Sequence, residues 1–316
     1  MKYRIVFSLP IHEHFEVVLD QILNITTLNA ECAIIIHESP AFDYGKSVLS
    51  REQFLTAISN LGLEEYVYIN PVKVRTGMYD IIQAHLSNFS YASQNLDFHF
   101  FSMLASNELF IKPGLYDEIK DFDCGLNHKP LRSVSNWAGE KLAYEDNDLS
   151  SITKATGEEI YISQVEGSFY RKDIFQMIFC LITKYFDYKN ITSKYAREEI
   201  YFPTCFWGLN KDHKYKVCHN FTFVPWKRAS LFVNFQEIKM NEKRGSSKYS
   251  VKRVERVIND DLRSYIRQHC HYFEKEKKYI NIKKVNVCSL YSEEFFNTLK
   301  RTVKEVLSFL SRKRVY

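Results

Sequence analysis

Four short apolar runs separated by amphipathic stretches most constrain this chain. They are Tyr3-Arg4-Ile5-Val6-Phe7-Ser8-Leu9, Ala33-Ile34-Ile35-Ile36-His37, Tyr66-Val67-Tyr68-Ile69 and the segment Phe98 to Leu104. Each is short and rich in β-branched or aromatic residues, which selects a strand over a buried helix. Pro10 is expected to end the first strand. Between the runs, His12 to Ile25 carries Phe15, Val18, Leu19, Ile22 and Leu23 near helical spacing. Ser50 to Leu61 is a second helical stretch with Ser50 suited to the N-cap, and Gly77 to Phe89 is a third. Strand and helix in alternation predict an α/β fold with a Rossmann-like, mostly parallel sheet. The unbroken apolar run Ala33 to Ile36 fits a strand covered on both faces. No GxGxxG follows the first strand, so the dinucleotide fingerprint is absent.

The chain has 316 residues, of which 45% are hydrophobic and 15% aromatic, enough for a sizeable core and against disorder. Its 10 Gly and 7 Pro leave little for long flexible linkers. Net charge is +5, with Lys and Arg gathered after about Lys211. Such a tilt suits phosphate-bearing ligands or an anionic membrane surface, and equally an ordinary soluble protein. The basic residues lack the interleaved aromatic platform of single-strand binders, so nucleic acid is not an expected partner. Seven cysteines without a CxxC pair point to free thiols in a reducing compartment. With no signal-peptide pattern at the start and no run of about 18 apolar residues, a cytoplasmic protein is expected.

Beyond Pro113-Gly114 the pattern loosens. A strand is expected within 157–164, helices over Arg171 to Tyr188 and Arg197 to Trp207, and a short extended piece from Phe221 to Trp226. Met240 to Ser250 reads as a basic loop, and Val254 to Tyr272 and Glu293 to Leu310 as helices. The stretch Phe295 to Tyr316 mixes apolar residues with Lys300, Arg301, Lys304, Arg312, Lys313 and Arg314. It fits a helix on a membrane surface and one packed on its own core equally well.

Several residues carry chemistry. Glu108 follows the fourth strand, where open α/β sheets bind ligands; the plainer alternative is a surface turn. Glu198-Glu199 opens a helix before Tyr201 and Phe202. A carboxylate placed there allows a general base, and both residues also suit a helix N-terminus on dipole grounds alone. Lys243, Arg244, Lys248, Lys252 and Arg253 have the charge to neutralise a diphosphate or to coat a solvated loop. No metal site is expected. Ser106-Asn107-Glu108 stands where an Asp-x-Asp would, Asp121-Phe122-Asp123 lies past a predicted helix, and His269 and His271 face different ways on a helix.

Taken in order, these landmarks resemble the core-2/I-branching glycosyltransferases, a family that includes β-1,6-N-acetylglucosaminyltransferases and xylosyltransferases. The match rests on Phe101-Ser102-Met103-Leu104-Ala105-Ser106-Asn107-Glu108-Leu109-Phe110-Ile111-Lys112, on Ile36-His37-Glu38 and Val74-Arg75-Thr76-Gly77, and on Gly167-Ser168-Phe169-Tyr170. Glu198-Glu199-Ile200-Tyr201-Phe202-Pro203-Thr204 and Tyr249-Ser250-Val251-Lys252-Arg253 complete it. The chain departs by Glu108 for the usual Asp, Phe110 for the usual Pro, and Thr222 where the family has a base.

The resemblance implies a single GT-A-like domain over 1–260, with a donor half to about residue 125 and an acceptor half to 260. A helical extension over 261–316 follows. It implies an inverting, metal-independent transferase, without a cofactor, that moves a sugar from a UDP-sugar to a hydroxyl of a glycan or lipid-linked saccharide in surface polysaccharide or lipooligosaccharide synthesis. Glu199 is the implied base. Lys252, Arg253, His12, His37, Arg75 and Glu108 are the implied donor contacts, and Glu108, Gly167, Ser168, Tyr170 and Trp226 the implied substrate contacts. Lys227 and Arg228 are candidates for the missing second clamp. The expected setting is cytoplasmic, with peripheral contact at the inner face of an anionic membrane. The alternative is a non-catalytic glycan-binding or scaffold protein on the same fold, in which Phe110 and Thr222 mark lost activity.

Overall fold

The computed structural model describes residues 2–77, 79–134, 137–157, 159–189, 193–225, 235–242, 246–258 and 260–269. In chain order the elements are β1 Tyr3–Ile11, α1 Phe15–Leu28, β2 Cys32–Glu38, α2 Arg51–Asn60, β3 Val67–Ile69, α3 Ile81–Asn95, β4 Phe98–Met103 and β5 Glu108–Phe110. There follow α4 Leu115–Ile119, β6 Cys124–Gly125, β7 His128–Pro130, α5 Glu140–Tyr144, α6 Asn147–Thr156, β8 Tyr161–Ser163, β9 Phe169–Arg171 and α7 Lys172–Tyr185. The last are α8 Glu198–Leu209, β10 Val217–Cys218, β11 Thr222–Phe223, α9 Phe235–Glu242, β12 Ser250–Lys252 and α10 Asp261–His269.

The expected α/β architecture is present. Among the described residues seven strands form the main sheet in the order β10-β6-β9-β4-β1-β2-β3. Pairs β1/β2, β1/β4, β2/β3 and β10/β6 are parallel, while β9 runs antiparallel between β4 and β6. The chain steps outward from β1 to β2 to β3, then returns through α3 to place β4 on the other side of β1. That reversal makes the carboxyl ends of β1 and β4 a topological switch point, the usual ligand position of an open α/β sheet.

Alternation along the central strands explains why the whole run is apolar. Val6, Ala33, Ile35, Phe101 and Met103 face one core with α3, α6, α7 and α8. Ile5, Phe7, Leu9, Ile34, Ile36 and Phe100 face another with α1, α2 and α4. With both faces covered, no position of the strand is left for a polar residue except by special arrangement.

Local details correct several expectations. Pro10 does not end β1, which runs on to Ile11, because strand pairing with β2 continues through Pro10↔His37 to Ile11↔Glu38. Ser50 does cap α2, forming a reciprocal capping box with Gln53. Helix α3 starts at Ile81 rather than Gly77, because Asp80 turns its carboxylate to the Ser193 backbone N–H at 2.6 Å. The expected loop at Met240 to Ser250 is narrower, since α9 extends to Glu242 and β12 begins at Ser250. The helix expected from Val254 starts only at Asp261. Before it, Arg253 sits in the left-handed region at φ 68°, and the Val254 N–H bonds the Asn107 carbonyl instead of a helical partner. Helix α10 docks on α1 through the fully buried Arg263 and through Arg267, both paired with Asp20 at 2.8 and 2.6 Å.

A second, three-stranded sheet in the order β11-β12-β5 was not expected. It pairs Thr222 with Ser250 and Lys252 with Glu108 across its strands. Gly167 joins it to the main sheet, accepting from Phe221 N–H and donating to the Met103 carbonyl at 2.9 Å. Its φ is +72°, and a Cβ there would lie 2.1 Å from Thr222 Oγ1 and 2.5 Å from the Thr222 backbone N. Left-handed strain and a clash with backbone act together. Gly167→Ala is expected to lose about 3 kcal/mol of stability, read as a lowered midpoint in urea unfolding; a change within 0.5 kcal/mol, about that of a surface substitution, would refute this.

Candidate active site

The turn Val165 to Ser168 and helix α8 bring a charged cluster together. Lys252, at the end of β12, forms an ion pair with Glu166. Glu199 lies half-buried in the first turn of α8 and accepts a hydrogen bond from Trp137 Nε1 at 3.2 Å. Burial first, and then the charge of Glu166, push the Glu199 carboxyl up to about 7, against the opposing pull of Lys252 and Trp137. A carboxyl held there is a base that turns on near neutral pH. Its neighbour Glu198 is buried, with Oε2 lacking a partner, and burial holds its carboxyl well above the ordinary range.

The start of α8 is braced from behind. Arg197 pairs with Asp146 at 3.0 Å, their side chains 13% and 3% exposed. Asp146 also accepts the hydroxyls of Tyr195 and Tyr201 at 2.6 and 3.0 Å and caps α6 through the backbone N–H groups of Asp148 and Leu149. Glu199 therefore stands on a helix whose first turn is fixed by a buried network.

Glu108 occupies a different environment from the one expected. It is 1% exposed, opens β5, and accepts hydrogen bonds from Ser250 Oγ at 2.6 Å, from Thr222 Oγ1 and from Ala105 N–H at 3.1 Å. Burial raises its carboxyl to about 7, with Ser250 and Thr222 opposing. Both of its oxygens accept from protein donors, so Glu108 ties the three strands together and its side chain is buried rather than set in a surface turn. The two departures noted in the sequence have packing causes. Phe110 donates its backbone N–H to Asn24 Oδ1 at 2.7 Å, a bond that a proline lacks the hydrogen to make. Thr222 is buried against Gly167 and Glu108, where a long cation has no room.

At the carboxyl ends of β1 and β2 lie His12, His37 and His85. His37 Nε2 accepts from Val74 N–H at 3.1 Å, and His85 Nδ1 lies 2.8 Å from Ser8 Oγ. Burial, with smaller help from neighbouring cations and histidines, lowers His12 and His37 to about 4 and His85 to about 3, so all three are neutral at pH 7. His12 Nε2, His37 Nδ1 and Thr76 Oγ1 are buried without hydrogen-bond partners. Such orphaned polar atoms are costly unless a ligand or water satisfies them.

The remaining expected residues divide. Arg75 is exposed on the segment between β3 and α3. Arg253 donates to the Pro225 carbonyl at 2.8 Å. Ser168 is buried with its hydroxyl on the Val165 carbonyl. Tyr170 is 1% exposed, packed against Phe175 and Phe206 in the core, because β9 is an interior strand and this position faces inward. Trp226, Lys227, Arg228, and the chain from residue 270 lie outside the described residues. Sequence reasoning missed Glu166, Trp137 and Arg256. Arg256 pairs with buried Glu13 at 3.0 Å, and its charge reaches His12. It sits four residues after Lys252, so one segment serves both the histidine cluster and the carboxylate cluster. Among the described residues no group of three or more His, Cys, Asp or Glu is arranged to hold a metal ion, and no helix is long and apolar enough to cross a membrane.

No protein-family model matches the chain. Over 169 residues it is 27% identical to a chondroitin synthase of Pasteurella multocida strain Pm70 and 25% identical to a hyaluronan synthase of Pasteurella multocida. Each match covers 49% of this chain and 17% of the relative, so the matched part is about a sixth of either relative's length. Among solved structures, the galactosyltransferase LgtC in complex with donor and acceptor sugar analogues aligns over 88% of this chain and 99% of its own, at 11% identity and a TM-score of 0.43. An active-site mutant of LgtC aligns over 89% at 12% identity, again with a TM-score of 0.43.

Proposed function

We propose that this chain is a glycosyltransferase of bacterial polysaccharide or oligosaccharide assembly, with a GT-A-like catalytic unit over 1–260 and the remaining residues as an extension. The observation that carries this reading is the cluster at the start of α8, in which the half-buried Glu199 carboxyl, held by Trp137 Nε1 at 3.2 Å, stands beside the Glu166–Lys252 ion pair. The similarity to two bacterial synthases of sugar polymers supports it independently. The resemblance to core-2/I-branching enzymes refines it to inverting transfer from a UDP-sugar.

In that mechanism a Glu199 oxygen takes the proton of an acceptor hydroxyl as the hydroxyl oxygen attacks the anomeric carbon. The bond from that carbon to the nucleoside diphosphate breaks on the opposite face. Lys252 meets the charge that develops on the leaving phosphate oxygens. Arg256, on the same segment, is the candidate second cation in place of Lys227 and Arg228. His12, His37 and Thr76 have free polar atoms for the nucleotide end of the donor. Lys252 and Arg256 can supply the positive charge that a divalent metal would otherwise bring, in keeping with the metal-independent, cofactor-free transfer that the resemblance implies. Glu108, Ser168 and Tyr170 are omitted from the pocket lining, since each is buried and the first two are hydrogen-bonded to protein. The acceptor is a glycan or lipid-linked saccharide, and the setting is the cytoplasm with contact at the inner membrane face. Phe110 and Thr222 both have packing reasons, which favours an active enzyme over the non-catalytic alternative.

Melting the purified protein with UDP, GDP, CMP and UDP-sugars, with and without EDTA, tests the donor site. A ligand at a hundredfold excess over its Kd stabilises the fold by about 2.7 kcal/mol. A rise of several degrees with UDP that survives EDTA is expected. Loss of that rise in EDTA would bring back a metal, and no response to any nucleotide would move the glycan-binding alternative ahead.

A further inference from the structure

We propose that Glu166 is a positioning residue of this site: its carboxylate holds the Lys252 ammonium and faces the Glu199 carboxyl, so an incoming diphosphate must take Lys252 from it. The diphosphate half of this rests on the transferase reading above; the hold on Glu199 does not.

The geometry is built rather than incidental. Glu166 immediately precedes Gly167, whose left-handed turn is locked between Met103 and Phe221. The Glu166 carbonyl is itself held by Gln164 Nε2 at 2.9 Å and by Asn220 Nδ2 at 3.0 Å. A fixed backbone thus delivers the side chain to Lys252, which β12 presents from the other side. The two side chains are 18% and 24% exposed, so their attraction is only partly screened by water.

The charges around Glu199 come from three elements. Glu198 lies on its own helix, Glu166 on the turn before β9, and Lys252 on β12, with the neutral Trp137 indole as hydrogen-bond donor. Glu166 also faces buried Glu108 of β5. Four carboxyl groups and one ammonium cannot all be charged cheaply in such a place. Glu166 takes the ammonium as its partner, which leaves Glu199 with the higher proton affinity that a base at neutral pH needs. When a diphosphate draws Lys252 away, the resting ion pair is exchanged for the product-stabilising one.

The experiment is a carbon-13 NMR titration of the Glu199 carboxyl in the full-length protein, assigned by its loss in Glu199→Gln, together with UDP binding by calorimetry. Both are run on the wild type, Glu166→Gln and Glu166→Asp. In Glu166→Gln the Glu199 midpoint is expected to fall by about one pH unit and UDP to bind roughly tenfold more tightly, since Lys252 is already free. Glu166→Asp keeps the charge and is expected to return the midpoint toward the wild-type value. An unchanged midpoint in Glu166→Gln overturns the proposal, and weaker UDP binding overturns it too, by making Glu166 a donor contact. If UDP binds all three proteins equally, the competition for Lys252 falls. If the midpoint drops but UDP binds none of them, the positioning role stands and the transferase reading fails.

Discussion

Glu199→Gln is expected to lower kcat by about 100- to 10,000-fold while leaving nucleotide binding and KM close to wild type. The amide keeps the size and the hydrogen bond from Trp137 Nε1, but has no lone pair basic enough to take the acceptor proton. A change confined to KM would instead make Glu199 a binding group. The same carboxyl sets the pH dependence. With its proton affinity raised to about 7, kcat/KM should climb with pH through that value and level off above it. Stability carries the opposite sign. Glu199 is protonated up to about pH 7 in the fold and only to about 4.5 in the unfolded chain, so its favourable contribution is full below 4.5 and lost as pH rises to 7. Glu199→Gln removes that loss. Its melting temperature should therefore gain on the wild type between pH 5 and pH 8, and no such gain would show that Glu199 is ionised in water like a surface residue.

How much of this was legible in the sequence depended on the kind of signal each part carries. Strands β1, β2 and β4 announced themselves because both of their faces are buried, which forces runs such as Ala33 to Ile36, and β3, at the sheet edge and only partly buried, by its β-branched and aromatic residues. Ser50 was legible because a cap needs only one short polar side chain at one place. The sheet of β5, β11 and β12 was not, since strands of two or three residues have no period, and it buries Glu108, Thr222 and Ser250 beside Leu109, Phe110 and Val251, so no apolar run marks it. Glu108 was noticed for its position after β4, but its burial depends on partners 114 and 142 residues away. Glu199 could be singled out from the resemblance alone. What tunes it, Glu166 and Lys252, is 86 residues apart in the chain, and no spacing rule reveals such a pair. Arg256 lies beyond the recognised basic motif, and only the fold turns it toward Glu13.

Asp146→Ala should cost about 3–5 kcal/mol of stability, the loss typical of removing one partner from a buried ion pair. Three separate ties break at once. Arg197 loses its carboxylate, and its Nε and Nη1 are already buried without hydrogen-bond partners, so the guanidinium would keep only the Tyr195 hydroxyl and the aromatic faces around it. Those faces, Phe186 at 4.8 Å and Tyr195 and Tyr201 at 5.7 Å, attract a cation but do not accept its hydrogens in line. The hydroxyls of Tyr195 and Tyr201 lose their acceptor inside the core, and helix α6 loses its N-cap. Asp146→Asn separates the charge from the shape, because an amide oxygen in the place of Oδ1 can still cap α6, while the amide nitrogen in the place of Oδ2 accepts from neither tyrosine. It should recover part of the loss but not the Arg197 share. Urea unfolding of the wild type and both variants reads this directly, and equal midpoints for Asp146→Ala and the wild type would refute the role of the network. Since α8 begins one residue after Arg197, a variant that still folds should also lose turnover through a displaced Glu199, an effect that falls on kcat more than on nucleotide affinity.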